Sequence, residues 1–265
     1  MSIKFTCEVG SNHNSSIERA KALIDSAKDA GFDAVKFQAL PPTPSGLWRD
    51  GRDVPWAWLS SAVLDGLSDY ARARGLEFHC SVFNIEDVDW LSSLVDSFKI
   101  GSYEILCHDM IRACAETGKP LALSFGNYME DEAYAAIRAT RPCEDLTLYH
   151  CVSDYPTKLE NCNMQEVANS YAFLGAKRGW SDHTRNPLAI FAAIGCGATA
   201  VEMHLDLDGE GAEFSHGHVW LPEESRRVIK AAREMETCMN GNSEPDAERL
   251  AMRTDPKDYK RGLIK

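Results

Sequence analysis

Eight short apolar runs, each separated from the next by an amphipathic stretch, set the tightest limit on how this chain can fold. The runs are Lys4–Val9, Ala34–Phe37, Leu76–Cys80, Ser97–Ile100, Leu121–Ser124, Leu146–Cys151, Arg178–Ser181 and Ala200–Leu205. Each is apolar on both faces, as a parallel strand covered by helices must be. In the first gap Ile17, Ala20, Leu23, Ile24 and Ala27 recur at helical spacing, and Gly31 supplies a stop. Leu59, Val63, Leu67 and Tyr70 make a second stripe closed by Gly75, and Val88, Leu91 and Leu94 a third. Met110–Gly118, Asp131–Thr140, Met164–Tyr171, Pro187–Cys196 and Glu223–Met239 complete eight predicted helices. Strict strand–helix repetition either closes into a barrel or winds into an open sheet. Eight repeats in 265 residues, close to the ~250 of one barrel, predict a single-domain α/β fold, the (β/α)8 TIM barrel. No Gly-x-Gly-x-x-Gly follows the first run, which counts against a dinucleotide-binding sheet.

Two segments interrupt the rhythm. Ala39–Pro55, rich in proline and flanked or occupied by Trp48, Trp56 and Trp58, is expected to be a lid over the barrel mouth. Gly241–Lys265 is polar and carries no strand pattern, so the barrel is placed at 1–240 and a tail or strap at 241–265. A formal net charge of -12 argues against nucleic acid or an anionic membrane as partner. The first ten residues lack a basic stretch followed by an apolar core, and no apolar run has the length of a membrane span. Nine cysteines with no C-x-x-C pair read as reduced, mostly buried thiols, so the expected compartment is the cytoplasm.

In such a barrel the chemistry sits at the C-terminal ends of the strands. Here those ends carry Glu8, Lys36 with Gln38, Ser81, Lys99 with Ser102 and Glu104, Ser124 with Asn127, Ser153 with Tyr155, Ser181-Asp182-His183, and Glu202 with His204. A lysine leaving an apolar run cannot stay buried and unpaired without a large penalty. Lys36 and Lys99 therefore either form ion pairs with Glu8 or Glu104 inside the barrel, or hold an anionic group of a substrate. Serines on neighbouring strand ends favour the anion, because short hydroxyl donors complete a phosphate or carboxylate cradle. His183 and His204 follow adjacent strands and can meet at one divalent ion, leaving positions open for water and substrate. Asp182 and Glu202 stand beside them as expected proton-handling or ligand-orienting partners. His13 and His150 are less specific, and Phe214-Ser215-His216-Gly217-His218 reads as a loop that caps the pocket or adds a ligand.

Several of these stretches resemble, in order, the motifs of the N-acetylneuraminate (sialic acid) synthase family. They are Glu8-Val9-Gly10-Ser11-Asn12-His13-Asn14, Val35-Lys36-Phe37-Gln38, Lys99-Ile100-Gly101-Ser102-Tyr103-Glu104, Leu123-Ser124-Phe125-Gly126, His150 to Thr157, Trp180-Ser181-Asp182-His183-Thr184 and Val201-Glu202-Met203-His204. Seven ordered motifs across residues 4–235 are far more specific than any one. The resemblance implies a transferase that condenses phosphoenolpyruvate with the aldehyde of an open-chain N-acyl amino sugar, giving a sialic-acid-like 2-keto acid and phosphate by C–O cleavage. It implies that Lys36, Lys99, Ser81, Ser102, Ser124 and Ser181 anchor phosphoenolpyruvate, with Ser153 and Gln38 completing the substrate set. It also implies a manganese or magnesium ion on His183 and His204, with Glu8, Glu104, Glu202, Tyr155 and Asp182 as the catalytic groups, in a homodimer.

The sequence departs from the family's pattern in places. The usual Gly-Pro-Asp-His of the last loop is here Gly211-Ala212-Glu213-Phe214, Thr-Pro-Phe after the third strand is Ser81-Val82-Phe83, and the position of Ser153 is asparagine in some members. The family's C-terminal antifreeze-like domain, which helps bind the sugar, has no counterpart in these residues. These changes concentrate at the sugar end. Two other readings use the same residues: a metal-dependent aldolase of the pyruvate type, which needs no phosphate cradle, and a non-catalytic barrel that binds a sugar.

Overall fold

The computed structural model describes residues 2–40, 58–169 and 175–241. Eight parallel strands close into a barrel in sequence order: β1 (Lys4–Glu8), β2 (Ala34–Ala39), β3 (Glu77–Val82), β4 (Ser97–Ile100), β5 (Leu121–Phe125), β6 (Leu146–His150), β7 (Lys177–Asp182) and β8 (Ala200–His204), with β8 paired back to β1. The helices between and after them are α1 (Ile17–Ala30), α2 (Ser61–Ala73), α3 (Val88–Leu94), α4 (His108–Glu116), α5 (Glu130–Ala139), α6 (Gln165–Asn169), α7 (Pro187–Gly195) and α8 (Pro222–Met239). Of the expected Met164–Tyr171 helix, α6 covers Gln165–Asn169, and residues 170–174 lie outside the described ones. The lid expected at Ala39–Pro55 and the tail at Gly241–Lys265 lie almost wholly outside them; Trp58, at the lid's edge, is exposed.

Local chemistry explains the element ends. Ser16 caps α1 by accepting from the Arg19 amide at 3.1 Å, satisfying one of the helix's unpaired first-turn donors. Gly31 ends it at φ 95°. Of the predicted stripe, Ala20, Leu23, Ile24 and Ala27 are fully buried, while Ile17, in the first turn, is exposed.

Strand alternation divides the side chains into two sets. Phe5, Phe37, Phe78, Phe98, Phe125 and Trp180 point out from the strands into the layer beneath the helices, and all are fully buried. Each contributes about 1.5–3 kcal/mol relative to exposure. The opposite set lines the barrel interior and is unusually polar. Thr6 and Glu8, Lys36 and Gln38, His79 and Ser81, Ser97 and Lys99, Ser124, Tyr149, Ser181, and Glu202 and His204 alternate with the outward apolar residues of their strands. Gly179 is the one inward position of β7 without a side chain, and a Cβ there would stand 2.5 Å from the Tyr149 ring. The glycine makes room for that ring, which in turn lies 4.9 Å from Lys99 Nζ.

Candidate active site

The inward residues form two tiers. The deeper tier is ionic. Lys36 Nζ lies 2.6 Å from Glu8 and donates to Ser81 Oγ at 3.0 Å. Lys99 Nζ meets both Glu202 oxygens at 2.8 and 2.9 Å, and Ser181 donates to Glu202 at 2.9 Å. Lys36 and Glu202 are 3.6 Å apart, so the four charges form one chain across the barrel. Burial by itself would discharge the lysines, yet Glu202 and Glu8 hold Lys36 above the ordinary lysine value. For Lys99 burial wins, with the nearby Lys36 adding to it, and its pKa falls below the ordinary value despite Glu202. Glu202 is held down by Lys36 and Lys99 against burial, and stays ionised. The ion pair to Glu8 considered from the sequence is present; the second lysine pairs with Glu202 rather than Glu104.

The upper tier is imidazole. His183 Nδ1 donates to the Val152 carbonyl at 2.7 Å, and His204 Nδ1 to Glu213 Oε2 at 2.7 Å. An acceptor on Nδ1 fixes the proton there in the neutral ring and leaves Nε2 as the lone pair, the state in which imidazole binds a metal. The two rings are 5.4 Å apart, centre to centre, and both are buried. Burial and then His204 push His183 well below the ordinary histidine pKa. His218 joins them, with ring centres 4.6 Å from His204 and 6.0 Å from His183. Tyr155 closes the group from the rim, 4.3 Å from His183 and 4.9 Å from His218.

Glu213 is built into this tier by the first strand's motif. Its Oε1 accepts from the Ser11 amide at 2.6 Å, and its own amide donates to Asn12 Oδ1 at 2.9 Å. Gly10 sits at φ 52°, and a Cβ there would lie 2.2 Å from Glu213 Oε1. Only glycine suits both the left-handed backbone and the carboxylate above it. Glu213 thus accepts from His204 Nδ1 and orients that ring.

The other expected site residues divide. Gln38 donates to Glu8 at 2.7 Å. Ser102 and Ser153 share a hydrogen bond of 2.8 Å. Ser124 Oγ is buried beside the Cys151 thiol, with no hydrogen-bond partner of ordinary geometry among the described residues. Glu104 is buried beside Gly101, at the end of β4. A cavity of about 370 Å³ opens next to Ser102, lined also by Tyr103, Leu106, Asn127, Tyr128 and Met129.

Asp182 requires a correction. Strand alternation sends it to the outer face with Trp180, where it accepts from the indoles of Trp180 (3.1 Å) and Trp220 (2.9 Å) and from Thr184 (2.7 Å). It fastens β7 to the segment after β8 and does not face the mouth. Glu202 likewise sits one layer below His204, bonded to Lys99 and Ser181, and acts on the imidazoles only through its charge. His13 and His150 are structural: His13 accepts from the Ser15 amide and His150 meets the Cys162 carbonyl. Sequence reasoning placed His218 only within a loop that caps the pocket or adds a ligand, and left open whether Glu213 is that loop's acidic residue. The only signal for them was the acidic residue and histidines in the loop after β8.

The sequence profile of the NeuB family matches residues 54–244. The N,N'-diacetyllegionaminic acid synthase of Legionella pneumophila is 29% identical over 93% of this chain and 76% of its own length. The pseudaminic acid synthase of Helicobacter pylori is 32% identical over 77% of this chain and 66% of its own. Among solved structures, the N-acetylneuraminic acid synthetase of Leptospira borgpetersenii superposes with a TM-score of 0.85, covering 99% of this chain and 93% of that one, at 23% identity. That likeness carries the fold, while the profile spans well over half of the sequence. The chain belongs to the NeuB family.

Proposed function

We propose that this protein condenses phosphoenolpyruvate with the aldehyde of an open-chain N-acyl amino sugar to give a sialic-acid-like 2-keto acid and phosphate. The observation that carries the reading is the stacking of two tiers at one barrel mouth: buried lysines with serine hydroxyls below, and imidazoles with free lone pairs above. The names of the legionaminic and pseudaminic acid synthases it resembles support the same class of product.

The residues present fit a divalent ion. His183 and His204 offer buried rings with Nδ1 already committed; Glu213 holds His204 toward its protonated form against burial, and an ion bound at Nε2 would displace that proton. Manganese or magnesium held there supplies Lewis-acid polarisation of the aldehyde oxygen. Lys36 and Lys99 bind the carboxylate and phosphate of phosphoenolpyruvate, exchanging part of their pairing with Glu8 and Glu202 for the substrate's charge. Ser124 and Ser81 supply hydroxyl donors to its oxygens, and Ser102, Ser153 and Ser181 flank them. C3 of phosphoenolpyruvate bonds to the aldehyde carbon, whose oxygen takes a proton and becomes a hydroxyl. Water adds at C2, giving its proton to a carboxylate, for which Glu104 and Glu8 are the buried groups at the mouth. The C2–O bond to phosphorus then breaks, leaving the ketone and inorganic phosphate. Gln38 and Tyr155 orient the sugar's hydroxyls, and the Tyr155 ring shields the imidazoles from bulk water.

The test is phosphate release from phosphoenolpyruvate across a panel of N-acyl amino sugars and simple aldehydes, with and without manganese. The expected result is release that needs both metal and an amino sugar, with one 2-keto acid formed per phosphate. Pyruvate-dependent condensation with phosphoenolpyruvate left intact would replace this reading with the aldolase.

A further inference from the structure

His218 stands apart from the chain's other buried histidines. It is 2% exposed, and neither ring nitrogen has a hydrogen-bond partner among the described residues. Leaving a buried polar group without a partner is costly, and this imidazole presents two. The neighbours explain what the ring could serve. Its Nε2 faces Glu213 Oε2 at 3.7 Å, the same oxygen that accepts from His204 Nδ1 at 2.7 Å. The gap is slightly too long for a hydrogen bond, and a shift of about half an ångström closes it. Nε2 would then carry the proton, and Nδ1 would be the lone pair on the side away from Glu213. His204, Glu213 and His218 each offer a ligand-type atom within 4.8 Å of the others, a grouping that His183 adjoins without joining.

Imidazoles bound to one ion hold their centres about 3.2 Å from it, so rings at right angles or tetrahedral angles stand roughly 4.6–5.3 Å apart. His204–His218 at 4.6 Å matches that spacing and His183–His204 at 5.4 Å lies at its edge, while His183–His218 at 6.0 Å is wider, so His183 must draw in for all three to share one ion. All three pairs are tilted by 63° to 86° rather than stacked face to face, as rings converging edge-on upon one point are. Both Glu213 oxygens are already engaged, by the Ser11 amide and by His204, so the carboxylate orients ligands rather than binding directly.

We propose that His218 is a third imidazole ligand of the divalent ion at His183 and His204, bound through Nδ1, with Glu213 orienting both His204 and His218. The inference rests on the metal reading given above and adds a ligand to it. Three imidazoles disfavour magnesium, which prefers oxygen ligands. Phe214 and Gly217 help place the ligand: the loop after β8 turns at Gly217, φ 80°, immediately before His218.

The test is pulsed electron paramagnetic resonance of the full chain loaded with one equivalent of manganese, counting coordinated imidazole nitrogens. Three are expected in the unaltered protein, and two in His218→Asn, with manganese affinity lower by about 10-fold or more. Magnesium should compete poorly. Two nitrogens in the unaltered protein would overturn the inference while leaving the two-histidine site standing, and this count needs no variant that must fold. Manganese bound with no coordinated imidazole, or no manganese bound, would overturn both.

Discussion

Replacing Glu202 with glutamine should expose the electrostatic design of the barrel interior. Glutamine keeps the shape and one acceptor oxygen for Ser181, but removes the charge that faces Lys99 at 2.8 and 2.9 Å and Lys36 at 3.6 Å. The four buried groups Lys36, Lys99, Glu8 and Glu202 then go from balanced to one excess positive charge. The upper limit on the damage is the cost of discharging one lysine. From an ordinary value of 10.5 to pH 7.5 this is three units, or about 4 kcal/mol. That agrees with the roughly 3–5 kcal/mol typical of breaking one side of a buried pair. Lys99 is the lysine to discharge, since burial already depresses it. At about 2–4 °C per kcal/mol for a domain of this size, the midpoint of thermal unfolding should fall by roughly 8–16 °C. A lysine neutral in the folded state but protonated when unfolded makes stability rise with pH, so the deficit should shrink between pH 7 and 10. Phosphate or phosphoenolpyruvate should stabilise the variant more than the parent protein, because the anion replaces the lost carboxylate. Differential scanning fluorimetry across pH, with and without phosphate, checks all of this. A loss below about 1 kcal/mol, or equal stabilisation of both proteins by phosphate, would refute the reasoning.

Gly10→Ala should cost manganese affinity about 10-fold or more without unfolding the barrel, since its Cβ would displace Glu213 and with it His204; isothermal titration measures it. Gly179→Ala should destabilise by about 1–3 kcal/mol through the collision with Tyr149, read from denaturant midpoints. His204→Ala should abolish metal-dependent turnover and leave the far-ultraviolet circular dichroism unchanged. Glu77, drawn down to about 2 by His79 and then Lys4, contributes stability that is present above the ordinary value of 4.5 and lost as pH falls toward 2. With its side chain 41% exposed, solvent screening limits this to under about 1 kcal/mol, so Glu77→Gln should differ slightly at pH 7 and converge with the parent near pH 2 in acid-unfolding curves.

The fold was legible because the barrel demands apolar strands on both faces and the apolar runs mark them. Ser97–Ile100 coincides with β4. β2 and β3 run two residues past the predicted ends, to Ala39 and Val82, because the ladder Gln38↔Ser81↔Lys99 continues through inward polar residues. A polar side chain reads as a strand end in sequence, whereas inside this barrel it is another interior position. The same alternation explains Asp182 and Glu202. Adjacency to His183 made Asp182 look chemical, but one residue along a strand is the opposite face. Two residues from His204 is the same face one layer deeper, which gives Glu202 to the lysines. The loop carrying Glu213 and His218 was legible as a cap or a source of a ligand, but not which of its residues act, because that depends on its folding back over Gly10 and Ser11, a contact 202 residues apart in the chain.

The central claim is condensation with cleavage of the C–O bond of phosphoenolpyruvate. Phosphoenolpyruvate labelled with oxygen-18 at the bridging position between C2 and phosphorus tests it directly, with product phosphate analysed by mass spectrometry after turnover with an N-acyl amino sugar and manganese. The account predicts that the label leaves entirely in inorganic phosphate, and that the 2-keto acid carries oxygen from solvent at C2. Label retained in the keto acid, which marks cleavage at phosphorus, or phosphate release indifferent to the sugar, would contradict it.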